Sequence, residues 1–185
     1  MLEPVTAMKN RSERGFTIIE LLAVTVIVVI LLALAIPSWR DTAARKRVEG
    51  LFVELQADLE YARSEAVARN AAVQVSFGTG CYVVHLESAT ASCTATTKSV
   101  IPAAGELKSE LLGSSPQVAI TPQNALTRIG FDPMRGIASW DGSGTQAGIA
   151  LASTAGAWQL LVTLSAVGRV NVCSPGGSIK GYPPC

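Results

Sequence analysis

The residue with the clearest chemical consequence is Glu20, a lone carboxylate in an apolar run. The run opens at Phe16, directly after a short basic leader that ends in Gly15, and it extends to Ile36. A carboxylate within a membrane helix costs roughly 2.5–3.5 kcal/mol, so it needs either access to water or a cationic partner. The sequence therefore predicts either ion pairing or contact with water at the membrane edge for Glu20, and composition alone leaves both open.

The apolar run is long enough to cross a membrane. Phe16–Ile36 contains 21 residues, which as an α-helix span about 31 Å, against about 30 Å for a bilayer core. In an ordinary secretory signal the apolar segment precedes the cleavage site and is removed with it. Cleavage after Gly15 would instead leave the apolar helix on the mature protein as a single-pass anchor.

This order of basic leader, glycine, aromatic residue and apolar run resembles the leader of type IV prepilins and type II secretion pseudopilins. The resemblance implies cleavage after Gly15 by prepilin peptidase and methylation of the new amino group of Phe16. It also implies that Glu20 pairs with the Phe16 ammonium group of a neighbouring subunit as helices stack. Gly15 suits the cleavage because, without a side chain, it lets a peptidase approach the bond closely. The chain is then a substrate rather than a catalyst.

Length and charge favour one soluble domain behind the anchor. A chain of 185 residues suffices for one core plus the anchor. The formal net charge of +1 comes from the leader, so the mature chain is close to neutral, which argues against a protein that coats nucleic acid. The positive-inside rule does not settle the orientation, since the leader holds three Lys or Arg residues and the segment after the anchor holds four: Arg40, Arg45, Lys46 and Arg47.

The four cysteines, Cys81, Cys93, Cys173 and Cys185, indicate an oxidising compartment. Three pairings are possible, and we favour the two between sequence neighbours, Cys81 with Cys93 and Cys173 with Cys185, each stabilising by roughly 3 kcal/mol. Together with the leader, they predict an inner-membrane protein with its head in the periplasm. We expect no metal site, because there is no CxxC motif and only one histidine.

A helical pattern resumes beyond Pro37, which is expected to kink or interrupt the helix. We predict one helix from about Thr17 to Asn70, whose second half, residues 37–70, is amphipathic and packs one face on the head. Glu49, Asp58 and the other charged residues of this half are expected to lie largely off the apolar stripe. The stripe recurs at three- and four-residue steps: Val48, Leu51, Phe52, Leu55, Leu59, Ala62 and Ala66.

Residues 71–185 are expected to form a β-rich head. Alternating apolar residues and glycine punctuation predict a hairpin around Gly78-Thr79-Gly80, and loops at Ser88–Ser99 and Gly113–Pro116. The predicted fold class is α+β, with residues 1–15 as leader, 16–36 as anchor and a long helix packed on antiparallel sheet. The predicted strands are Val73–Phe77, Cys81–Glu87, Gln117–Thr121, Arg128–Phe131, Gly136–Trp140, Ile149–Ala152, Trp158–Leu164 and Arg169–Cys173.

Catalytic patterns are weak, so we do not expect an enzyme or a cofactor. A serine triad would have to use His85, yet no GxSxG motif occurs. His85 is better explained as a strand residue among apolar neighbours. Gly142-Ser143-Gly144 lacks the lysine and the spacing of a phosphate-binding loop and predicts a turn.

The chain beyond the leader is similar to the GspH/FimT family of minor pilins and pseudopilins. The similarity implies a pilin-like fold. Some relatives in this family are implicated in DNA uptake through a basic C-terminal region with a GRxR-like motif. Here Gly168-Arg169-Val170-Asn171 has asparagine at the second arginine, so only Arg169 and Lys180 are candidate phosphate contacts. The segments that carry the similarity are Pro37–Asp41, Ala62–Asn70, Ile129–Gly136 and Gly168–Cys173.

The sequence therefore predicts a minor pilin of a type IV pilus, incorporated through its N-terminal helix and helping to prime assembly near the tip. Its expected partners are prepilin peptidase, the inner membrane and other minor and major pilins, and its final location is the pilus at the cell surface. Two alternatives stay open: a type II secretion pseudopilin and a pilus subunit that binds DNA.

Overall fold

The structure is a computed structural model that describes residues 15–78, 80–89, 105–111, 117–154 and 158–185. Side chains at positions 34–38, 106 and 110–111 lie outside this description. The chain divides into two compact units, Met1–Trp39 and Arg40–Cys185.

One helix, α1, runs from Ile18 to Arg69, within a residue of the prediction at each end. It is continuous through Pro37, so the expected interruption does not occur. A proline removes one backbone donor, and long helical segments on both sides offset that loss. The helix ends where Asn70 adopts a left-handed conformation, φ 49°. Its amide bonds to the carbonyl of Val67, and the Ala71 amide bonds to that of Ala66, the pairing of a Schellman C-cap.

In the second unit, the apolar stripe of α1 packs on the head. Every stripe residue named from the sequence is buried, and Ala44 extends the stripe by one turn. The stripe residues from Val48 to Ala66 form one hydrophobic cluster with inward-facing residues of two sheets. From Val48 to Ala66, α1 therefore buries one face against the head.

The described residues of the head form two antiparallel sheets. The first has the order β3-β2-β1-β5-β6 and the second the order β4-β7-β8-β9. A short 3₁₀ turn at Pro175–Gly177 follows the last strand. The strands are β1 (Val73–Gly78), β2 (Cys81–Leu86), β3 (Glu106–Leu111), β4 (Val118–Pro122), β5 (Arg128–Phe131), β6 (Ala138–Trp140), β7 (Ala147–Ser153), β8 (Gln159–Leu164) and β9 (Val170–Cys173).

The α+β fold class is confirmed, and the strands differ from the prediction mainly at one place. The hairpin of β1 and β2 is present, with Gly78 opposite Cys81. Strand β3 was not predicted, because its sequence ELKSEL has charged residues and no β-branched or aromatic ones. Strand β6 begins two residues later than expected, since Gly136 has a φ of 60° and terminates the preceding turn. Most of the predicted loop Ser88–Ser99, and all of Gly113–Pro116, lie outside the described residues.

Candidate functional site

The start of α1 is built around Thr17. The Glu20 amide donates to Thr17 Oγ1 at 3.3 Å, and the Leu21 amide donates to the Thr17 carbonyl at 3.1 Å. Thr17 is thus the N-cap, and Glu20 occupies the first turn of the helix. A carboxylate there is stabilised by the partial positive charge of the helix N-terminus. Sequence reasoning missed this contribution, although the Thr-x-x-Glu spacing is that of a capping box.

The first unit exposes its apolar side chains around the whole helix. Phe16 is 79% exposed and Ile18 is 84% exposed. Apolar surface of this extent favours an environment that removes it from water. The other exposed large apolar residues of this segment are Ile19, Leu21, Leu22, Val24, Val26, Ile27, Val28, Val29, Ile30, Leu31 and Leu32.

Thr25 bonds within the helix: its Oγ1 donates to the carbonyl of Leu22 at 2.8 Å. Among the described residues, no helix meets the length and apolarity needed to span a membrane.

In the second unit, a buried polar contact joins α1 to the first sheet. Asp58 is only 4% exposed, which corrects the expectation that it lies off the stripe. Tyr82 Oη donates to one carboxylate oxygen at 2.7 Å, and Lys108 Nζ donates to the other at 2.6 Å. Since Tyr82 lies on β2 and Lys108 on β3, two strands satisfy one buried charge, as a buried carboxylate requires.

In the second unit, a further set of contacts joins the part of α1 around Asp41 and Arg45 to the sheets and the C-terminal segment. Trp158 Nε1 donates to Asp41 at 2.7 Å, and Arg45 Nη2 donates to the Lys180 carbonyl at 2.8 Å. Arg45 and Lys46 also pair with Glu49. Partial burial acts to raise the pKa of Glu49, but the two cations outweigh it and hold that pKa below its ordinary value.

The C-terminal segment is closed by the predicted Cys173–Cys185 disulfide, whose Cα atoms are 4.9 Å apart. Within the loop, the Ile179 amide donates to the buried hydroxyl of Ser174 at 2.9 Å. Cys81 is also disulfide-bonded. Its predicted partner Cys93 lies outside the described residues, so that pairing stays a prediction.

The two predicted phosphate contacts are not brought together. Lys180 lies beside Arg45, whereas Arg169 lines a cleft with Arg63. These two helix positions are 18 residues apart, or about 27 Å along the axis at roughly 1.5 Å per residue. Arg169 and Lys180 therefore do not form one basic patch.

Arg63 is a contact residue that sequence reasoning did not single out. Its side chain lies against Gly136 and Gly168, which have φ of 60° and 78°. A Cβ at Gly136 would lie 2.9 Å from Arg63 Nε, and one at Gly168 would lie 3.2 Å from the guanidinium carbon. Glycine is needed at both places for the backbone conformation and for the close approach. Three of the segments that carry the family similarity thus meet at Arg63.

The residues weighed for catalysis have local structural contacts. His85 is 2% exposed; its Nδ1 donates to the Leu86 carbonyl, and its Nε2 accepts from Ser76, each at 2.9 Å. Ser143 sits in an irregular segment, and its amide bonds to the Asn124 carbonyl at 3.0 Å. The described ranges contain no group of three or more His, Cys, Asp or Glu residues suited to a metal ion.

Two family models match this chain. The family described as type II transport protein GspH matches residues 53–168, more than half of the chain. The prokaryotic N-terminal methylation motif matches residues 10–36. The first match covers the last 17 residues of α1 and most of the head, and the second covers the end of the leader and the apolar run.

Two solved structures are similar in fold, both of the type IV minor pilin FimU of Pseudomonas aeruginosa strain PAO1. The first, in space group P21, is 18% identical, has a TM-score of 0.49, and the match covers 71% of this chain and 94% of that one. The second, in space group P65, is 15% identical, has a TM-score of 0.45, and covers 72% and 96%. No curated protein matches this chain.

Proposed function

We propose a function for this chain on the basis of its family. The chain belongs to the GspH family. The proposed function is that of a minor pilin in a type IV pilus, incorporated through its N-terminal helix and helping to prime assembly near the tip. The prokaryotic methylation motif implies membrane anchoring. In this proposal prepilin peptidase cleaves after Gly15, the new Phe16 amine is methylated, and the head stays in the periplasm until the subunit enters the pilus.

The observation that carries the proposal is the unpartnered apolar surface of residues 16–32. Large apolar side chains are exposed all around this segment, whereas from Ala44 onward α1 buries one stripe on the head. A helix that is apolar all round is stable only when it is surrounded. Lipid surrounds it before assembly, and the helices of other pilins surround it afterwards.

Glu20 favours the transfer of the helix from lipid into the filament. In lipid the carboxylate is supported by the Thr17-capped helix end alone, which leaves most of its desolvation cost in place. In the filament the Phe16 ammonium group of a neighbouring subunit would pair with it. The free energy gained from this ion pair favours the assembled state. The pair also sets the axial position of the helix relative to its neighbour.

An intact-mass measurement of the protein from its own cells tests the processing. The expected mass is that of residues 16–185 plus one methyl group and minus four hydrogens for two disulfides. A mass that retains Met1–Gly15 would reject the proposed function.

A pair of variants tests the role of Glu20. Glu20→Val should be anchored at least as well as the native chain but enter pili poorly, because the pairing group is lost. Glu20→Asp is the matched variant that keeps the charge and should retain part of the incorporation. The measurement is the amount of this subunit in sheared pili relative to membranes, and unchanged incorporation of Glu20→Val would contradict the assembly role.

A type II secretion pseudopilin is the second candidate, because the matching family is described as a type II transport protein. Both candidates use the same leader and helix, so the N-terminus does not separate them. Deleting the gene separates the two candidates. Loss of surface pili with normal protein secretion supports the minor pilin, whereas loss of protein secretion with normal surface pili supports the pseudopilin.

A further inference from the structure

We propose that the head carries a docking surface for the head of a neighbouring filament subunit, one that presents carboxylates around an apolar contact. The surface, called here the arginine patch, consists of Arg63, Arg135, Arg169 and four apolar residues: Val67, Met134, Ile137 and Val167. The inference rests on the proposed function, since its partner belongs to the same filament.

The patch lies where α1 ends. Arg63 and Val67 lie one helical turn apart and line a cleft with Gly168 and Arg169. The cleft is open and has a volume of about 620 Å³. Arg63 also contacts Gly136, so the β5–β6 turn and the β8–β9 turn flank the same guanidinium group.

The two turns are tied to each other as well as to Arg63. The Ala138 amide donates to the Ala166 carbonyl at 2.8 Å. Within the β8–β9 turn, the Gly168 amide donates to the Ser165 carbonyl at 2.8 Å. The patch is therefore built on a hydrogen-bonded base that is formed before any partner arrives, which reduces the ordering cost of binding.

The patch exposes apolar side chains that the head does not cover. Met134 is 83% exposed, Val167 68%, Val67 50% and Ile137 41%. Each of the three turn residues stands one or two positions from a glycine that contacts Arg63. Grouped apolar exposure with a charged rim is typical of protein-binding surfaces.

The charges of the patch define the partner. Among the described residues, none of the three arginine side chains forms an ion pair. Two carboxylates close to the patch accept hydrogen bonds from other groups: Glu60, which lines the cleft, accepts from Gln56, and Asp132 accepts from the amides of Met134 and Arg135. Guanidinium groups pair best with carboxylates. A complementary partner therefore places Asp or Glu residues around an apolar centre.

The same features favour a protein over DNA. A phosphate backbone offers no apolar surface to cover Met134 and Val167, which are 83% and 68% exposed. Lys180, the other candidate phosphate contact, lies beside Arg45, which precedes Arg63 by 18 residues on α1. The protruding turn residues also differ from a small-molecule site, which is concave.

Co-purification of full-length proteins tests the proposal. The chain is co-expressed with each other protein of the same cell that carries a prepilin leader, and complexes are extracted in detergent through a tag on this chain. The double variant Arg135→Glu/Arg169→Glu should recover roughly tenfold less of one such partner, and Met134→Ser/Val167→Ser should also recover less. Arg63 is left unchanged because it packs against the glycine turns.

The matched control is Arg40→Glu/Arg47→Glu, which reverses two exposed arginines near the opposite end of this part of α1. Control recovery should equal that of the native chain. Substituting lysine for carboxylates on the partner's head should restore binding of Arg135→Glu/Arg169→Glu, which a merely misfolded variant would not show.

Three outcomes would overturn the proposal. Equal loss in the control would show a general charge effect. No prepilin-leader partner for a native chain that is correctly cleaved after Gly15 would reject the docking surface and leave the proposed function standing, whereas an uncleaved chain would reject both. The third outcome concerns a short duplex DNA. If the native chain retains it, Arg135→Glu/Arg169→Glu retains less of it, and recovery of the filament subunit is unchanged, the patch is assigned to nucleic acid.

Discussion

The two halves of α1 differ in apolar content and meet opposite surroundings. Residues 16–32 expose apolar side chains on every side, and residues 44–66 bury a single stripe under the head. The difference is one of periodicity, because an apolar residue at every position needs surroundings on every side, whereas a stripe needs one surface. The first half thus depends on other molecules, and the second half is satisfied within its own chain.

The largest expected effect separates the two halves by stability. Leu59→Ala, at a position 1% exposed, should lower the free energy of unfolding of the head by about 2–5 kcal/mol, through lost burial and a cavity. Leu22→Ala, in the exposed half, is the matched control and should change it by less than about 0.5 kcal/mol. Chemical denaturation of the full-length protein in detergent measures both. Equal effects would mean that the two halves unfold as one unit.

A smaller loss of stability is expected when the buried polar contact between α1 and the first sheet is removed. Tyr82→Phe removes the hydroxyl that donates to Asp58 and should cost about 1.5–3 kcal/mol, since the bond is to a buried charged group. Tyr61→Phe is the control, because Tyr61 is half-buried and, unlike that of Tyr82, its hydroxyl donates to no buried carboxylate among the described residues. The same denaturation experiment applies, and a Tyr82→Phe protein as stable as Tyr61→Phe would show that Lys108 alone satisfies Asp58.

These two positions show what could be predicted from sequence. The stripe around Leu59 was found because helical periodicity is local and repeats over many residues. The role of Asp58 was missed because its partners are 24 and 50 residues away, on strands whose pairing determines which side chains face the helix. Strand β3 was itself not predicted, so Lys108 was not placed near the helix.

Two glycines also show that contacts between distant residues were not predicted from the sequence. Gly136 and Gly168 were noticed as parts of similar segments, but their shared contact with Arg63 depends on two turns from different sheets. The cap at Thr17 involves residues three positions apart, and its Thr-x-x-Glu spacing is a local signal, although it was not predicted. Local periodicity was therefore sufficient to predict the extent of the helix, whereas the contacts between distant residues were not predicted.

A pH-dependent effect is expected at the edge of the first sheet, away from the helix. Partial burial acts to raise the pKa of Asp141, but hydrogen bonds from Thr127 and the Arg128 amide outweigh it, so the pKa lies below its ordinary value. A carboxyl group with a lowered pKa stabilises the fold above its unfolded pKa, about 3.9, and this contribution is lost as the pH falls through the folded pKa.

Asp141→Asn should therefore be less stable than the native chain at pH 7, and the difference should shrink progressively below about pH 4. The magnitude should be modest, since the group is largely exposed. Thermal unfolding of both proteins across this pH range measures it. A difference that stays constant down to pH 2 would show that shape, not charge, matters at Asp141.

The smallest effect on overall stability, and the sharpest test of the two-halves comparison, is expected at the helix start. Thr17→Ala removes the cap that accepts from the Glu20 amide and should weaken the first turn by about 0.5–2 kcal/mol, while Thr17→Ser should retain the cap. Because a cap acts on the first turn of its helix and the large apolar side chains of residues 16–32 are exposed, hydrogen exchange in detergent should quicken at residues 18–21 and stay unchanged at residues 48–66. Since the fraying would also release Glu20 from the helix end that supports it, Thr17→Ala should enter pili less efficiently than Thr17→Ser, at equal stability of the head. Faster exchange throughout α1 would instead mean that the halves are coupled and that the head senses the state of the N-terminus.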